Sequence, residues 1–149
     1  MKTKTAPNKP TTKEIIGFLQ DLSGMNKIEP TSDIFSDVGM RGDDFHEMIE
    51  KFTIKYSVDM TNYLWYFHTD EESGWNSIGG LFFTPPYKRV DRIPITPTML
   101  TEFADTGKWN ICYPDHKIST RRYDLLVNQV VIGLFLIIVL IISISKCAG

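Results

Sequence analysis

Apolar residues recur at helical spacing in three parts of the chain. Ile15, Ile16, Leu19 and Leu22 form the first stripe. Thr11-Thr12-Lys13-Glu14 stands before it and has the form of a capping box, in which a threonine hydroxyl and a glutamate three residues on satisfy each other's free backbone amides. Ser23-Gly24 ends this helix. A second helix starts near Asp43, with Phe45, Met48, Ile49 and Phe52 as its stripe and Glu47, Glu50, Lys51 and Lys55 off it. Asp43 or Asp44 is the expected N-cap, because a carboxylate accepts from the first-turn amides. Between the two helices, residues 25–39 read as a loop broken by Pro30. Ile28, Ile34, Phe35 and Val38 are its expected plugs into a core. A third, shorter helix opens at Thr96-Pro97, shows Leu100, Phe103 and Ala104, and stops at Gly107.

Two segments follow a different pattern. Val58-Asp59-Met60 reads as extended. LFFT (81–84) and RIPIT (92–96) flank Pro85-Pro86-Tyr87 and predict a small hairpin. The run with Tyr63, Trp65, Tyr66, Phe67 and Trp75 is either a core patch or an aromatic binding face. The expected fold class is mainly α with a small β-hairpin, an α+β domain over residues 12–114 behind a flexible tail at 1–11.

The last apolar pattern has no polar side. Leu125 to Ile144 is 20 residues long, uncharged, and broken only by Asn128, Gln129 and Ser143. At about 1.5 Å per residue it spans about 30 Å, the thickness of a bilayer core. The expected transmembrane helix is 125–145, joined to the domain by a basic linker at 115–124 and followed by a short tail at 146–149. Lys117, Arg121 and Arg122 precede the run and only Lys146 follows it. That excess places the N-terminal domain in the cytoplasm. Tyr123 sits where an interfacial aromatic is expected. Asn128 and Gln129, near the interface, are expected to face water or headgroups. The first residues, MKTKTAPNKPTT, are charged without an apolar run and do not read as a signal peptide.

Composition adds one point. The net charge of −2 hides segregation: residues 14–72 carry 13 acids against four bases, net −9. A phosphate backbone needs a basic face, so nucleic acid is not the expected partner. A basic protein surface is. Asp43, Asp44, Glu47 and Glu50 are the candidate partner-binding residues, against the plainer reading of a solvated acidic face.

Catalytic patterns are missing. His46, His68 and His116 are far apart and fit no metal spacing. His68 is read as a partly buried partner of a carboxylate. Cys112 and Cys147 suggest no disulfide framework, and Cys112 lies in an apolar context, WNICYP. Asp43 and Asp44 are adjacent, so their side chains diverge, whereas acid–base work needs two groups that converge. Asp70-Glu71-Glu72 reads as an exposed acidic turn. No enzyme and no cofactor is expected.

The stretch DIFSDVGMRGDDFHEMIEKFTIKYSVDM resembles the core of acyl carrier proteins. Asp37-Val38-Gly39 looks like their Asp-Leu-Gly turn, and Asp43-Asp44-Phe45 looks like their Asp-Ser-Leu. The likeness covers about residues 12–60 and implies an acyl-carrier-like helical part. A closer resemblance is to a family of small bacterial proteins of unknown function with carrier-like front ends. It rests on GDDFHEMIEKF, on YSVDMTNY with WYFH, and on RIPITPTMLTEFADTGKW, over about residues 12–114. It implies a fold and no activity. Asp44 stands where a carrier has the serine that bears its phosphopantetheine arm, and a carboxylate cannot form that phosphodiester. The expected function is a membrane-anchored, non-enzymatic adaptor or regulator, with a specialised acyl carrier or a lipid-binding protein as the alternatives. The expected location is a bacterial inner membrane, spanned once.

Overall fold

A computed structural model of the chain describes residues 9–71, 78–118 and 121–147. Among the described residues five α-helices follow one another: α1 Thr12–Ser23, α2 Gly42–Tyr56, α3 Ile78–Phe82, α4 Pro97–Thr106 and α5 Tyr123–Cys147. Short 3-10 turns at Trp65–Phe67 and Pro86–Lys88 punctuate the connections.

The expected end signals operate on α1 and α4. Thr11 Oγ1 accepts from the Glu14 amide at 3.3 Å, while the Thr11 amide donates to Glu14 Oε2 at 2.7 Å. Gly24 then closes α1 at φ 70°, a left-handed conformation open to a residue without Cβ. Thr96 caps α4, Pro97 is its first residue, and Gly107 ends it at φ 68°. Lys9 reaches back to Asp105 of α4 at 2.8 Å. The remainder of the expected N-terminal tail, residues 1–8, lies outside the described residues.

The apolar stripes meet in one core. Ile15 and Leu19 of α1, Phe45, Met48 and Phe52 of α2, and Leu100 of α4 are all fully buried. Phe18, absent from the expected stripe, joins them edge-on to Tyr56 at 6.0 Å. Ile28, Ile34 and Val38 plug the loop onto this core as expected. The extended segment after α2 pairs with the end of α4: the Asp59 amide donates to the Gly107 carbonyl at 2.8 Å and the Trp109 amide to the Asp59 carbonyl at 2.9 Å. That single parallel bridge, Asp59 with Lys108, is the β pairing among the described residues.

The hairpin expected at 81–84 and 92–96 does not form. Leu81 and Phe82 belong to α3, and residues 92–96 run extended without a strand beside them. Pro85, Pro86 and Pro94 remove three of the amides a two-stranded ladder would use. Two backbone groups of this segment are engaged elsewhere: the Ile93 amide donates to the Phe67 carbonyl at 2.6 Å, and the Ile95 carbonyl accepts from the Ile34 amide at 2.9 Å. Residues 92–96 therefore stitch the aromatic run to the α1–α2 loop. The fold is mainly helical.

Helix α5 begins at Tyr123. Over Tyr123–Lys146 its most apolar 18-residue window has mean hydropathy 3.0, and none of that window is buried. It is long and apolar enough to cross a membrane. Its neighbour in the fold is α3.

Candidate functional site

Burying Phe45, Met48, Ile49 and Phe52 turns the opposite side of α2 to solvent. Asp43, Asp44, Glu47 and Glu50 are all exposed there. At about 100° per residue, Asp43, Glu47, Glu50 and Ile54 fall within about 60° of one another. Ile54 is 73% exposed, an apolar side chain set among carboxylates. Asp44 lies to one side. With Glu47 and Lys51 it rims a cleft of about 180 Å³, whose walls include Leu22, Met40 and Met48. Glu47 and Lys51 form an exposed i,i+4 ion pair at 2.5 Å, which contributes little to stability but offsets part of the local charge. Ser23 also lines the cleft. Its hydroxyl donates to the Leu19 carbonyl at 2.7 Å and accepts from the Met25 amide at 3.2 Å.

Asp43 and Asp44 do not cap α2, contrary to expectation. The cap position is Arg41, which makes no side-chain bond there. Thr69 Oγ1 instead accepts from the Gly42 amide at 3.0 Å, across 27 residues of sequence. Gly42 sits buried at φ 47°, so the helix start turns inward. A carboxylate in that place would be desolvated without a cation, whereas a threonine hydroxyl is not penalised in the same way. The two aspartates stay in the first turn, where the free amides favour negative charge.

The loop behind the cleft is held by an ion pair. Arg92 grips Asp33 at 3.1 and 2.5 Å. Burial pushes the Asp33 carboxyl up, but bonds from Arg92, Ser36 and the Phe35 amide outweigh it and leave the group below the usual carboxylate range. Phe35, an expected core plug, is instead only half-buried. Its ring lies between the Arg41 and Arg92 guanidinium groups, 4.5 and 4.7 Å from its centroid.

A second constellation lies in the aromatic run. His68 is 1% exposed. Its Nδ1 is 2.9 Å from the Ile93 carbonyl and its Nε2 2.8 Å from Tyr113 Oη. Tyr113 Oη also accepts from Trp109 Nε1 at 2.8 Å and from the Leu64 amide at 3.2 Å. With two donors already on that oxygen, its own proton points to His68 Nε2, which assigns the imidazole proton to Nδ1. The ring is neutral. Burial pushes its pKa down to about 4; the Ile93 bond works the other way and Arg92 adds to the depression. The partners of His68 are thus a tyrosine and a backbone carbonyl, and not the carboxylate expected from sequence. Tyr63 stacks on His68, with ring centroids 5.8 Å apart. The Tyr63 hydroxyl is buried and has no hydrogen-bond partner among the described residues. Tyr63→Phe is expected to stabilise the domain by about 1 kcal/mol, since it removes an unsatisfied polar atom and keeps the ring. A rise in urea midpoint, read by pulse proteolysis, checks this.

Of the aromatic run, Phe67 is buried and Tyr63, Trp65 and Tyr66 are half-buried, with Tyr63 packed against the core. Trp75 and Glu72 lie outside the described residues. Cys112 is exposed despite its apolar neighbours in sequence.

A third constellation joins the domain to α5. Arg122 donates to both oxygens of Glu71 at 2.8 Å each, and to Asp124 at 3.0 and 2.6 Å. Glu71 is thus an anchor residue, where sequence suggested an exposed turn. Gly79 packs so closely on α5 that a Cβ there would overlap the Asp124 carbonyl. Its amide donates to Asn128 Oδ1 at 2.8 Å. Asn128, expected to face water or headgroups, is half-buried against α3.

The family model described as a protein of unknown function, DUF1493, matches residues 11–112. The chain belongs to this family. No curated protein and no solved structure matches it. The DUF1493 segment contains the α2 face, the cleft and His68; Arg122 and α5 lie beyond it. Among the described residues, no three His, Cys, Asp or Glu side chains gather as a metal site. The acidic face was legible from the stripe of α2. The Thr69 cap, the His68–Tyr113 pair and the Glu71–Arg122 joint were not, because each links residues more than 25 apart.

Proposed function

We propose that the chain is a membrane-anchored, non-enzymatic adaptor or regulator that docks a basic protein surface on the outer face of α2. The observation that carries this reading is the arrangement of that face: Asp43, Asp44, Glu47 and Glu50 all exposed, with Ile54 uncovered among them. Carboxylates around a solvent-facing apolar residue suit a partner that brings lysines or arginines around an apolar contact, with the charges giving steering and register. The proposal includes the acyl-carrier-like character of the α1–α2 part, without the serine that would carry an arm: Asp44 stands on the rim of the cleft in that place. It also includes the bacterial inner membrane as the site, with the domain on the cytoplasmic side, as the excess of Lys117, Arg121 and Arg122 over Lys146 favours. The anchor then fixes where docking occurs.

Crosslinking in intact cells tests the reading. The double variant Glu47→Lys/Glu50→Lys is expected to lose its crosslinked partner at least about tenfold, since it turns two attractive charges into repulsive ones on a surface that bears no core residue. Unchanged partner recovery by a normally folded, membrane-inserted variant would overturn the docking face. An intact mass carrying a phosphopantetheine-sized addition would favour the carrier alternative instead.

A further inference from the structure

Among the described residues, helix α3 has one side on α5 and the other uncovered. Gly79 meets the Asp124 carbonyl and bonds Asn128, and Phe83 lies against Tyr123 with ring centroids 5.6 Å apart. Facing away are Leu81, 83% exposed, Phe82, 73% exposed, and Ile78. Two neighbouring large apolar side chains this bare need a cover. What adjoins them is α5, whose own outward surface from Leu125 to Ile144 is apolar apart from Gln129 and Ser143. Asp124 and Asn128 are four residues apart, so α3 lies level with the first two turns of α5. If α5 spans a bilayer, those turns are at the boundary of headgroup and acyl chain. Arg89 and Arg121, both exposed, line the crevice between Phe83 and Tyr123 on the domain side, where anionic headgroups would be.

From this continuity we propose that α3 is a second membrane contact: a short foot that sinks Ile78, Leu81 and Phe82 into the leaflet beside the first turns of α5. This rests on the reading of α5 as a membrane helix. Its consequence is mechanical. A lone helix leaves the domain free to rotate and lean over the surface. A foot held rigidly beside the helix adds a second point of contact and sets the direction in which the α2 face points. The Asn128 side-chain carbonyl, a costly group within an apolar run, accepts in the same joint from a backbone amide of the foot.

The test is spin-label depth measurement on the full chain in nanodiscs that contain anionic lipid. Single cysteines are placed at Phe82, at Leu140 in α5, and at Ile54 on α2, each in a background with Cys112 and Cys147 changed to serine. The expected result is an accessibility ratio, oxygen over a water-soluble nickel chelate, several-fold higher at positions 82 and 140 than at 54. A ratio at 82 equal to that at 54, with 140 still in lipid, overturns the foot and leaves the anchor standing. A water-like ratio at 140 removes the membrane reading, and the foot falls with it. Dipolar broadening between labels at 82 would mean that a second copy covers this patch, and it overturns the bilayer assignment as well.

Discussion

Replacing His68 with alanine is expected to cost the domain about 3 kcal/mol, from the cavity left by the ring and from the Tyr113 hydroxyl and Ile93 carbonyl left without their partner. That is a large part of the total stability of a domain this size, typically about 5–15 kcal/mol. The wild-type protein carries a pH signature of the same group. In the unfolded chain the imidazole titrates near 6.5, and in the fold at about 4. The folded form therefore holds fewer protons through this interval, and lowering the pH favours unfolding. The contribution of His68 is complete above pH 6.5. It falls by about 1.4 kcal/mol per pH unit towards pH 4 and levels off below that. Arg92 and the tyrosines Tyr63 and Tyr113 face the ring; burial holds both tyrosine hydroxyls above their ordinary pKa, and the Arg92 charge adds to the cost of a second positive charge. Asp33, whose pKa lies below its ordinary 3.8, loses its contribution at still lower pH. His68→Gln, which retains a donor and an acceptor, is expected to flatten the dependence between pH 4 and 6.5 and to cost less than the alanine. Pulse proteolysis of the full chain in nanodiscs, in urea at a series of pH values, reads both effects. A wild-type midpoint that is flat from pH 6.5 to 4 would mean that the ring is already charged in the fold.

The sequence was most readable where local chemistry decides structure. Thr11 with Glu14, Thr96 with Pro97, and Gly24 and Gly107 act through neighbours within four residues, so they could be recognised without the fold. The stripes of α1, α2 and α4 were readable because burial follows the helical period. The misreadings share a cause. LFFT reads as a strand by composition, yet Leu81 and Phe82 sit on a short helix packed on α5. Pattern alone cannot separate an apolar strand of four residues from an apolar turn of helix. Asp43 and Asp44 have the right chemistry to cap α2, but Gly42 turns the helix start towards Thr69, which arrives from the far end of the aromatic run. Phe35 has the hydrophobicity of a core plug, but two guanidinium groups reach it first. Each outcome was decided by a contact between distant residues. Of the candidate site, the four carboxylates were visible because exposure is the complement of the buried stripe. Ile54 was not singled out, although its place in the same periodic pattern puts it among them.

The same dependence on distant contacts governs the joint with α5, where Gly79→Leu is expected to have the largest effect outside the core. Any Cβ at position 79 overlaps the backbone carbonyl of Asp124, and a helix backbone cannot step aside as a flexible side chain can. The cost of such overpacking is about 1–3 kcal/mol, more than a five-residue helix can retain by its own backbone bonds. Helix α3 should therefore leave α5, and the bond from the Gly79 amide to Asn128 should break with it. The core of the domain lies elsewhere, among α1, α2 and α4, and should keep its stability. Arg122 should still hold Glu71 and Asp124, because its three-residue network does not pass through Gly79. The expected result in hydrogen exchange is thus local: faster exchange of the amides at 79 and 81–83, and unchanged exchange in α1, α2 and α4. Gly79→Ala should give the same pattern, because the overlap begins at the first side-chain carbon. In the spin-label measurement, a label at position 82 should become more mobile in either variant, while a label at 140 stays as it was. Protection of residues 79–83 equal to wild type in Gly79→Leu would mean that α3 is not seated on Asp124 at all. The joint with α5 would then rest on the ion pairs of Arg122 with Glu71 and Asp124.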